Sequence, residues 1–307
     1  MKNNKFQPIG VRHTLQSIGV RSRYSRIMPS YTTAIALLLF PPLIGCTNNS
    51  LKAKSKGESI TTLRVSGSGT ALPVVQKLAQ AYSHKHHQTQ FQFQFGTNSD
   101  GAIQGLVKGT LDLAVANRPL SKTEAREALH YHPFARDAVA FVAHRPSPVQ
   151  ELTSTQVRNI YGGKLTNWKQ LGKKAAPIIV LDRSPEESAR KLVLMPLMAG
   201  HPVKAQTIVL SKTKEMIQAL ESTPNSLGYC SIGLLQIMPT QRIQVLKLDG
   251  IMPSAAAVEE GKYPWYLTFG LVYHRNHPAA LASFIDFVRG PEGRQVLEKY
   301  GYAVVKS

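Results

Sequence analysis

Acidic residues are scarce in this chain. Its 307 residues hold 18 Asp and Glu against 37 Lys and Arg, a formal charge of +19. Such a surplus suits a small anion, nucleic acid or an anionic membrane face. The basic residues are scattered rather than blocked, and no aromatic-basic stripe accompanies them, which weighs against nucleic acid. Cysteine is scarcer still, with Cys46 and Cys230 the whole supply. Gly-x-Ser-x-Gly is missing, because Ser66 and Thr70 flank Ser68 where glycines would stand. No paired His and Asp motif and no Cys-His spacing accompanies the serines, so the chain reads as non-enzymatic. His84, His86 and His87 lack an acid or cysteine close in sequence and read as a solvated, basic helix end. Neither a metal nor a cofactor is expected.

No apolar run reaches the roughly 20 residues that span a bilayer as a helix. What stands at the N-terminus is shorter. Six basic residues and no acid precede Ala34-Ile35-Ala36-Leu37-Leu38-Leu39-Phe40, and Leu43-Ile44-Gly45-Cys46 follows. This order reads as an export signal. Leu-Ile-Gly-Cys resembles the lipobox of bacterial lipoproteins, which implies acylation at Cys46 and a mature chain beginning there. An uncleaved hydrophobic anchor is the other reading, and Met28 offers an internal start. The expected organisation is a signal peptide over 1–45 and a tether over 46–62. A first lobe over 63–137 and 250–307 and a second over 138–249 complete it. Cys230 is then the only cysteine besides the acylated one, no intramolecular disulfide forms, and stability falls to a packed core.

The stretch that organises the rest is Val65-Ser66-Gly67-Ser68-Gly69-Thr70-Ala71-Leu72-Pro73. Leu63 and Val65 end an apolar strand. Val75, Leu78, Ala79 and Tyr82 then recur at helical spacing, with Pro73 in the first turn. A loop of Ser, Gly and Thr entering a helix offers hydroxyls and backbone N–H groups to an anion. It also reads as an ordinary tight turn or flexible linker. It is neither a dinucleotide fingerprint, lacking the third glycine, nor a Walker loop, lacking Gly-Lys-Ser/Thr. Phe91, Phe93 and Phe95 alternate with glutamines as a half-buried strand. Gly96-Thr97-Asn98-Ser99-Asp100-Gly101 opens a second helix, with Ile103, Leu106 and Val107 expected on its inner face. Leu111 to Ala116 forms a third strand ending at Asn117-Arg118-Pro119-Leu120. This alternation predicts a parallel sheet with Thr70, Ser99 and Asn117 at the carboxyl ends of its strands.

Ser-Gly-Ser-Gly-Thr-Ala-Leu-Pro, Asn-Ser-Asp-Gly-Ala-Ile and Gly-Thr-Leu-Asp-Leu-Ala-Val-Ala-Asn-Arg-Pro-Leu together resemble the phosphate-binding proteins of high-affinity phosphate ABC transporters. The resemblance runs from about Leu63 to Val305. It implies the type II periplasmic-binding-protein fold: two α/β lobes with parallel-rich sheets, joined by two crossing segments and closing over an oxyanion. Farther along, Ile160 to Trp168, Asn225 to Tyr229, Tyr263-Pro264 and Gly290 to Gln295 match family turns and core positions. Trp168 is expected as a packed anchor and Cys230 as a buried small hydrophobe.

From the resemblance, the ligand residues are Thr70, Ala71 (through its amide), Ser99, Asn117, Arg183 and Ser188. The family carries an aspartate where Asn117 stands, and that aspartate accepts the proton of hydrogen phosphate. An amide removes the filter. Around Arg183 the family's Ser-Gly-Thr is altered: Ser188 lies one residue farther on, Ala189 replaces glycine and Arg190 replaces threonine. Ser184-Pro185-Glu186-Glu187 also reads as a capping box, in which Ser184 simply starts a helix. The implied function is an extracytoplasmic, lipid-anchored, monomeric receptor in the periplasm or cell envelope. It would deliver phosphate or a related tetrahedral oxyanion to an ABC permease. An oxyanion sensor without transport duty and a phosphate-ester hydrolase are the alternatives.

Overall fold

The computed structural model describes residues 60–147, 149–238 and 240–305. The signal peptide, Cys46 and nearly all of the expected tether lie outside the described residues. Strand β1 (Thr61–Gly67) is followed by α1 (Leu72–Ser83), β2 (Thr89–Phe93), α2 (Ser99–Val107) and β3 (Leu113–Ala116). β1 lies between β2 and β3 and runs parallel to both, with Leu63 opposite Phe91 and Val65 opposite Leu113. Thr61 and Thr62, expected at the end of the tether, already pair with Thr89 and Gln90. Pro73 sits in the first turn of α1, where a missing N–H costs nothing. Leu72, Val75, Leu78, Ala79 and Tyr82 form the buried stripe of that helix. Tyr82 reaches the rings of Phe284 and Phe91, at centroid distances of 5.4 and 6.1 Å.

Two expectations fail here. Phe95 lies beyond the end of β2 and is 71% exposed, because the chain has already turned toward α2. Val107, at the last turn of α2, is 39% exposed, and Ala102 joins Ile103 and Leu106 in the core instead.

The 16-residue strand β4 (Leu129–His144) links two sheets. Its first part pairs with β11 (Tyr266–His274), from Leu129 opposite His274 to Ala138 opposite Tyr266. From Val139 opposite Ser231 to Ala143 opposite Leu227 it pairs with β8 (Ser226–Ser231). The partner changes between Ala138 and Val139, so one strand serves both lobes. β4 and β11 run antiparallel to their neighbours, which makes each sheet mixed rather than wholly parallel. At the junction Asp137 is fully buried; it accepts hydrogen bonds from the Ser231 hydroxyl and from the Gly233 amide at 2.9 Å.

The second lobe contains β5 (Glu151–Leu152), α3 (Ser154–Tyr161), β6 (Ile179–Arg183), α4 (Met195–Met198), β7 (Thr207–Leu210) and α5 (Thr213–Ser222). α6 (Ile232–Ile237), β9 (Ile243–Val245) and β10 (Lys247–Leu248) follow β8. β6 runs parallel to β7 and β8. Thr153 caps α3 reciprocally with Gln156, as its hydroxyl predicts. Trp168 is fully buried and its indole N–H donates to the Asn225 carbonyl at 3.3 Å. The chain returns through α7 (Ala255–Glu259), β11, α8 (Ala279–Arg289), α9 (Pro291–Lys299) and β12 (Ala303–Val304). Leu281, Phe284, Ile285 and Val288 of α8 face the core. No helix among the described residues is long and apolar enough to cross a membrane.

Candidate functional site

The predicted ligand residues lie at the carboxyl end of β6 or on the segments that follow β1, β2, β3 and β6. Gly67 ends β1 pressed against β3: a Cβ there would stand 2.2 Å from the Val115 carbonyl oxygen. Only glycine permits that approach. Ser68 then ties the loop down, its amide donating to the Val115 carbonyl at 2.8 Å. Its own carbonyl accepts from the amides of Ala71 and Leu72, at 3.0 and 2.8 Å, and its hydroxyl accepts from the Thr70 amide at 3.4 Å. The Ala71 amide is therefore already engaged, and Ala71 is fully buried. What this loop presents outward is the Thr70 hydroxyl.

Ser99 begins α2, whose N-cap Asn98 accepts from the Gly101 amide at 2.8 Å. The Ser99 hydroxyl donates to Asn117 Oδ1 at 3.0 Å and accepts from the Asn117 amide at 3.2 Å. Two of the predicted residues, 18 positions apart, are thus in direct contact. The next residue holds them in place. The Arg118 guanidinium binds both oxygens of Glu124 at 2.8 Å and also bonds to Asp100 beside Ser99. The hydrogen bonds from Arg118 hold the Glu124 carboxyl at about 2, well below the ordinary carboxylate range.

On the second lobe Arg183 ends β6 and is 3% exposed. Its Nη2 pairs with Glu187 at 2.6 Å and donates to the Ser211 carbonyl at 3.2 Å. Its Nε is buried and has no acceptor among the described residues. Such a group is costly unless something else completes it. Ser184 does not cap a helix. Its carbonyl instead accepts from the Glu187 amide at 3.0 Å in a turn, and the helical segment starts at Ser188. Glu187 is consequently free to fold back onto Arg183 rather than to line a helix N-terminus. Ser188 is half-buried at the start of that segment and makes no side-chain hydrogen bond among the described residues.

Arg190 is committed to a carboxylate of β6. Its Nε lies 3.1 and 3.2 Å from the two oxygens of buried Asp182. The same carboxylate accepts from the Tyr229 hydroxyl at 2.7 Å and the Arg183 amide at 2.8 Å. Burial, with the Asp182 charge adding to it, pushes the Tyr229 phenol far above its ordinary range and keeps it a donor. Two guanidinium groups and two carboxylates are therefore balanced against each other here.

Sequence reasoning missed three participants: Glu187 as the partner of Arg183, Asp182 as the partner of Arg190, and Thr213. Thr213 opens α5, and its hydroxyl lies 3.1 Å from that of Thr70 across the two lobes. The repeated pattern of strand, hydroxyl-rich turn and helix, seen again at Leu210-Ser211-Lys212-Thr213, is the signal that could have found it. A cavity of about 820 Å³ opens elsewhere, lined by Arg145, Leu235, Ile243 and Met252 among others, and none of the predicted ligand residues borders it. Buried charge and facing hydroxyls favour the strand ends.

Comparison with known proteins gives the family and the fold. Residues 52–292 match the profile of a PBP superfamily domain. The phosphate-binding protein PstS of Staphylococcus epidermidis is 31% identical over 269 residues, covering 82% of this chain and 79% of that protein. PstS of Borreliella burgdorferi is 24% identical over 251 residues, covering 79% and 90%. Among solved structures, one from Clostridium perfringens, described as a phosphate ABC transporter substrate-binding protein and holding bound phosphate, superposes with a TM-score of 0.69. It is 26% identical and covers 80% of this chain and 100% of its own.

Proposed function

The chain belongs to the PBP superfamily, and from that premise we propose that it captures phosphate or a related tetrahedral oxyanion outside the cytoplasmic membrane and delivers it to an ABC permease. Its lobes in this reading are residues 63–137 with 250–307 and residues 138–249. They close on the ligand about the crossing strands. The observation that carries the reading is the Arg183 Nε–H, buried at the end of β6 without an acceptor among the described residues. An oxyanion oxygen supplies what it lacks. A buried dianion needs its lost water replaced by hydrogen bonds and opposite charge. Thr70 and Asn117 offer donors from the first lobe, Arg183 and Ser188 from the second. The protein performs no bond-breaking step in this role.

Calorimetric titration of the full chain with orthophosphate, sulfate and tungstate tests the proposal. Saturable binding of at least one of them is expected; no heat with any of the three overturns it. The neutral balance of Arg183, Arg190, Asp182 and Glu187 also supports a second reading, an oxyanion sensor of the same fold without transport duty. Stimulation of a cognate permease's ATP hydrolysis by the loaded protein separates the two.

Cys46 is assigned as the acylated residue that holds a monomeric receptor at the membrane, on the strength of Leu43-Ile44-Gly45-Cys46. A Cys46→Ala chain is expected to lose fatty-acid labelling and leave the membrane fraction.

A further inference from the structure

The altered loop after β6 offers the hydroxyl of Ser188 but lacks the family's threonine. Where the family's threonine would stand, Arg190 is committed to Asp182 at 3.1 Å. A ligand therefore meets a guanidinium whose charge is already shared with Glu187 and no threonine from that turn. We infer that Thr213, on the next strand-to-helix turn of the same lobe, is a further second-lobe hydroxyl that grips the oxyanion. The inference rests on the oxyanion-binding reading above and names a ligand residue for that same site.

Three observations place Thr213 there. Its Oγ1 lies 3.1 Å from Thr70 Oγ1, the outward donor of the first-lobe loop, although 143 residues separate them. The loop that carries Thr213 is the one against which the Arg183 guanidinium rests, through the bond from Nη2 to the Ser211 carbonyl. The amides of Ser211 and Lys212 are taken by the Glu215 carboxylate at 3.1 and 3.0 Å. Those two amides are spent, while the Thr213 hydroxyl faces Thr70.

The proton count supports a ligand between the two hydroxyls. Each threonine carries one hydroxyl proton and accepts through two lone pairs. When one donates to the other, a single proton remains unspent. An oxyanion oxygen reached by both would receive both protons, one from each lobe, and so reward closure of the lobes. The Arg183 Nε–H, on the guanidinium that leans on this loop, supplies a third donor carrying charge.

The test is calorimetry on the full chain with orthophosphate, sulfate and tungstate, using wild type, Thr213→Val, Thr213→Ser, Thr70→Val and the Thr70→Val/Thr213→Val double variant. Valine keeps the shape and removes the hydroxyl; serine keeps the hydroxyl. Thr213→Val is expected to weaken binding of the preferred anion about tenfold or more, the usual loss for a hydrogen bond to a charged group. Thr213→Ser should stay within about threefold, since the donor is retained. A purely structural latch predicts that Thr213→Val costs nothing further once Thr70 is already valine. Direct contact with the anion predicts that the loss persists in that background.

Wild-type affinity in Thr213→Val overturns the inference, as does a vanishing effect in the Thr70→Val background. A wild-type chain that binds none of the three anions overturns the oxyanion reading as well, which distinguishes the two failures. Ligand-free melting temperatures of the variants, expected to match wild type, show that the fold is intact. A large drop in Thr213→Val that Thr213→Ser does not restore assigns the residue to packing and overturns the inference.

Discussion

The Ser99 hydroxyl donates to the side-chain oxygen of Asn117 and accepts from the backbone amide of the same residue. Its proton is spent on the asparagine. With one lone pair of the Asn117 oxygen taken by Ser99, the NH₂ of its amide is the arm the proposed reading turns to a ligand, and it only donates. A carboxylate at this position would offer acceptors and a negative charge instead. In the proposed reading, one side-chain atom decides whether the cleft can tell an anion that carries a proton from one that does not.

Wild-type protein is accordingly expected to bind phosphate, sulfate and tungstate without sharp preference. Asn117→Asp should favour phosphate over sulfate by about 100-fold, because like charges brought together in an interface cost several kcal/mol. Competition calorimetry reads both. Strong wild-type binding of phosphate with no competition from the other two would sink the idea.

Arg183→Lys keeps a positive charge and loses the planar fork that serves Glu187, the Ser211 carbonyl and, in the proposed reading, a ligand. A fall in oxyanion affinity of about 10- to 100-fold is expected, with the ligand-free fold retained. Equal affinities in lysine and arginine proteins would place the anion away from this guanidinium.

Asp137 makes the stability of the ligand-free chain depend on pH. Burial raises its carboxyl to about 7, against an ordinary 3.8, although the bonds from Ser231 and Gly233 oppose the shift. The folded chain then keeps a proton that the unfolded chain releases near pH 4. Its contribution is complete below the unfolded value and is lost as pH rises through the folded one. Wild type should lose stability between pH 4 and 7, by on the order of 4 kcal/mol at most. Asp137→Asn, which keeps an acceptor and cannot ionise, should lack that slope and be the more stable protein at pH 8. Parallel urea midpoints for both proteins across this window would refute it.

Gly67 and Gly69 stand two positions apart and should respond in opposite ways to alanine. A Cβ at Gly67 meets the Val115 carbonyl at 2.2 Å, which is backbone and cannot step aside, whereas nothing lies within 4 Å of one at Gly69. Gly67→Ala is expected to cost about 3 kcal/mol or more, and Gly69→Ala within about 0.5 kcal/mol, in urea denaturation. Equal losses would mean that loop flexibility, not strand contact, selects these glycines.

Much of the architecture was legible from residue order, because strands and helices are local. Leu63 and Val65 alternating, Leu72 to Tyr82 recurring at helical spacing and a hydroxyl-rich turn between them predict β1, its loop and α1 with few errors. The errors fell where neighbours in space overrule neighbours in sequence. Phe95 continues the alternation of Phe91 and Phe93, yet the sheet ends before it. Ser184-Pro185-Glu186-Glu187 has the spacing of a capping box, yet Glu187 gains more from the buried guanidinium of Arg183 than from a helix amide.

The sequence by itself therefore determined the family, the lobes' building pattern and the placement of Thr70, Ser99, Asn117 and Arg183 at strand ends. The building pattern follows from periodicity and from turns a few residues long, the family and the choice of those residues from the resemblance of the motifs. Which carboxylate claims which arginine, and which threonine faces Thr70, was decided only by tertiary structure. Arg190 had Asp182, Glu186 and Glu187 all within reach along the chain, and burial of Asp182 beside Tyr229 selects the pair. Thr213 is 143 residues from Thr70, and no local rule carries information over that distance; only the way β4 brings two sheets together does.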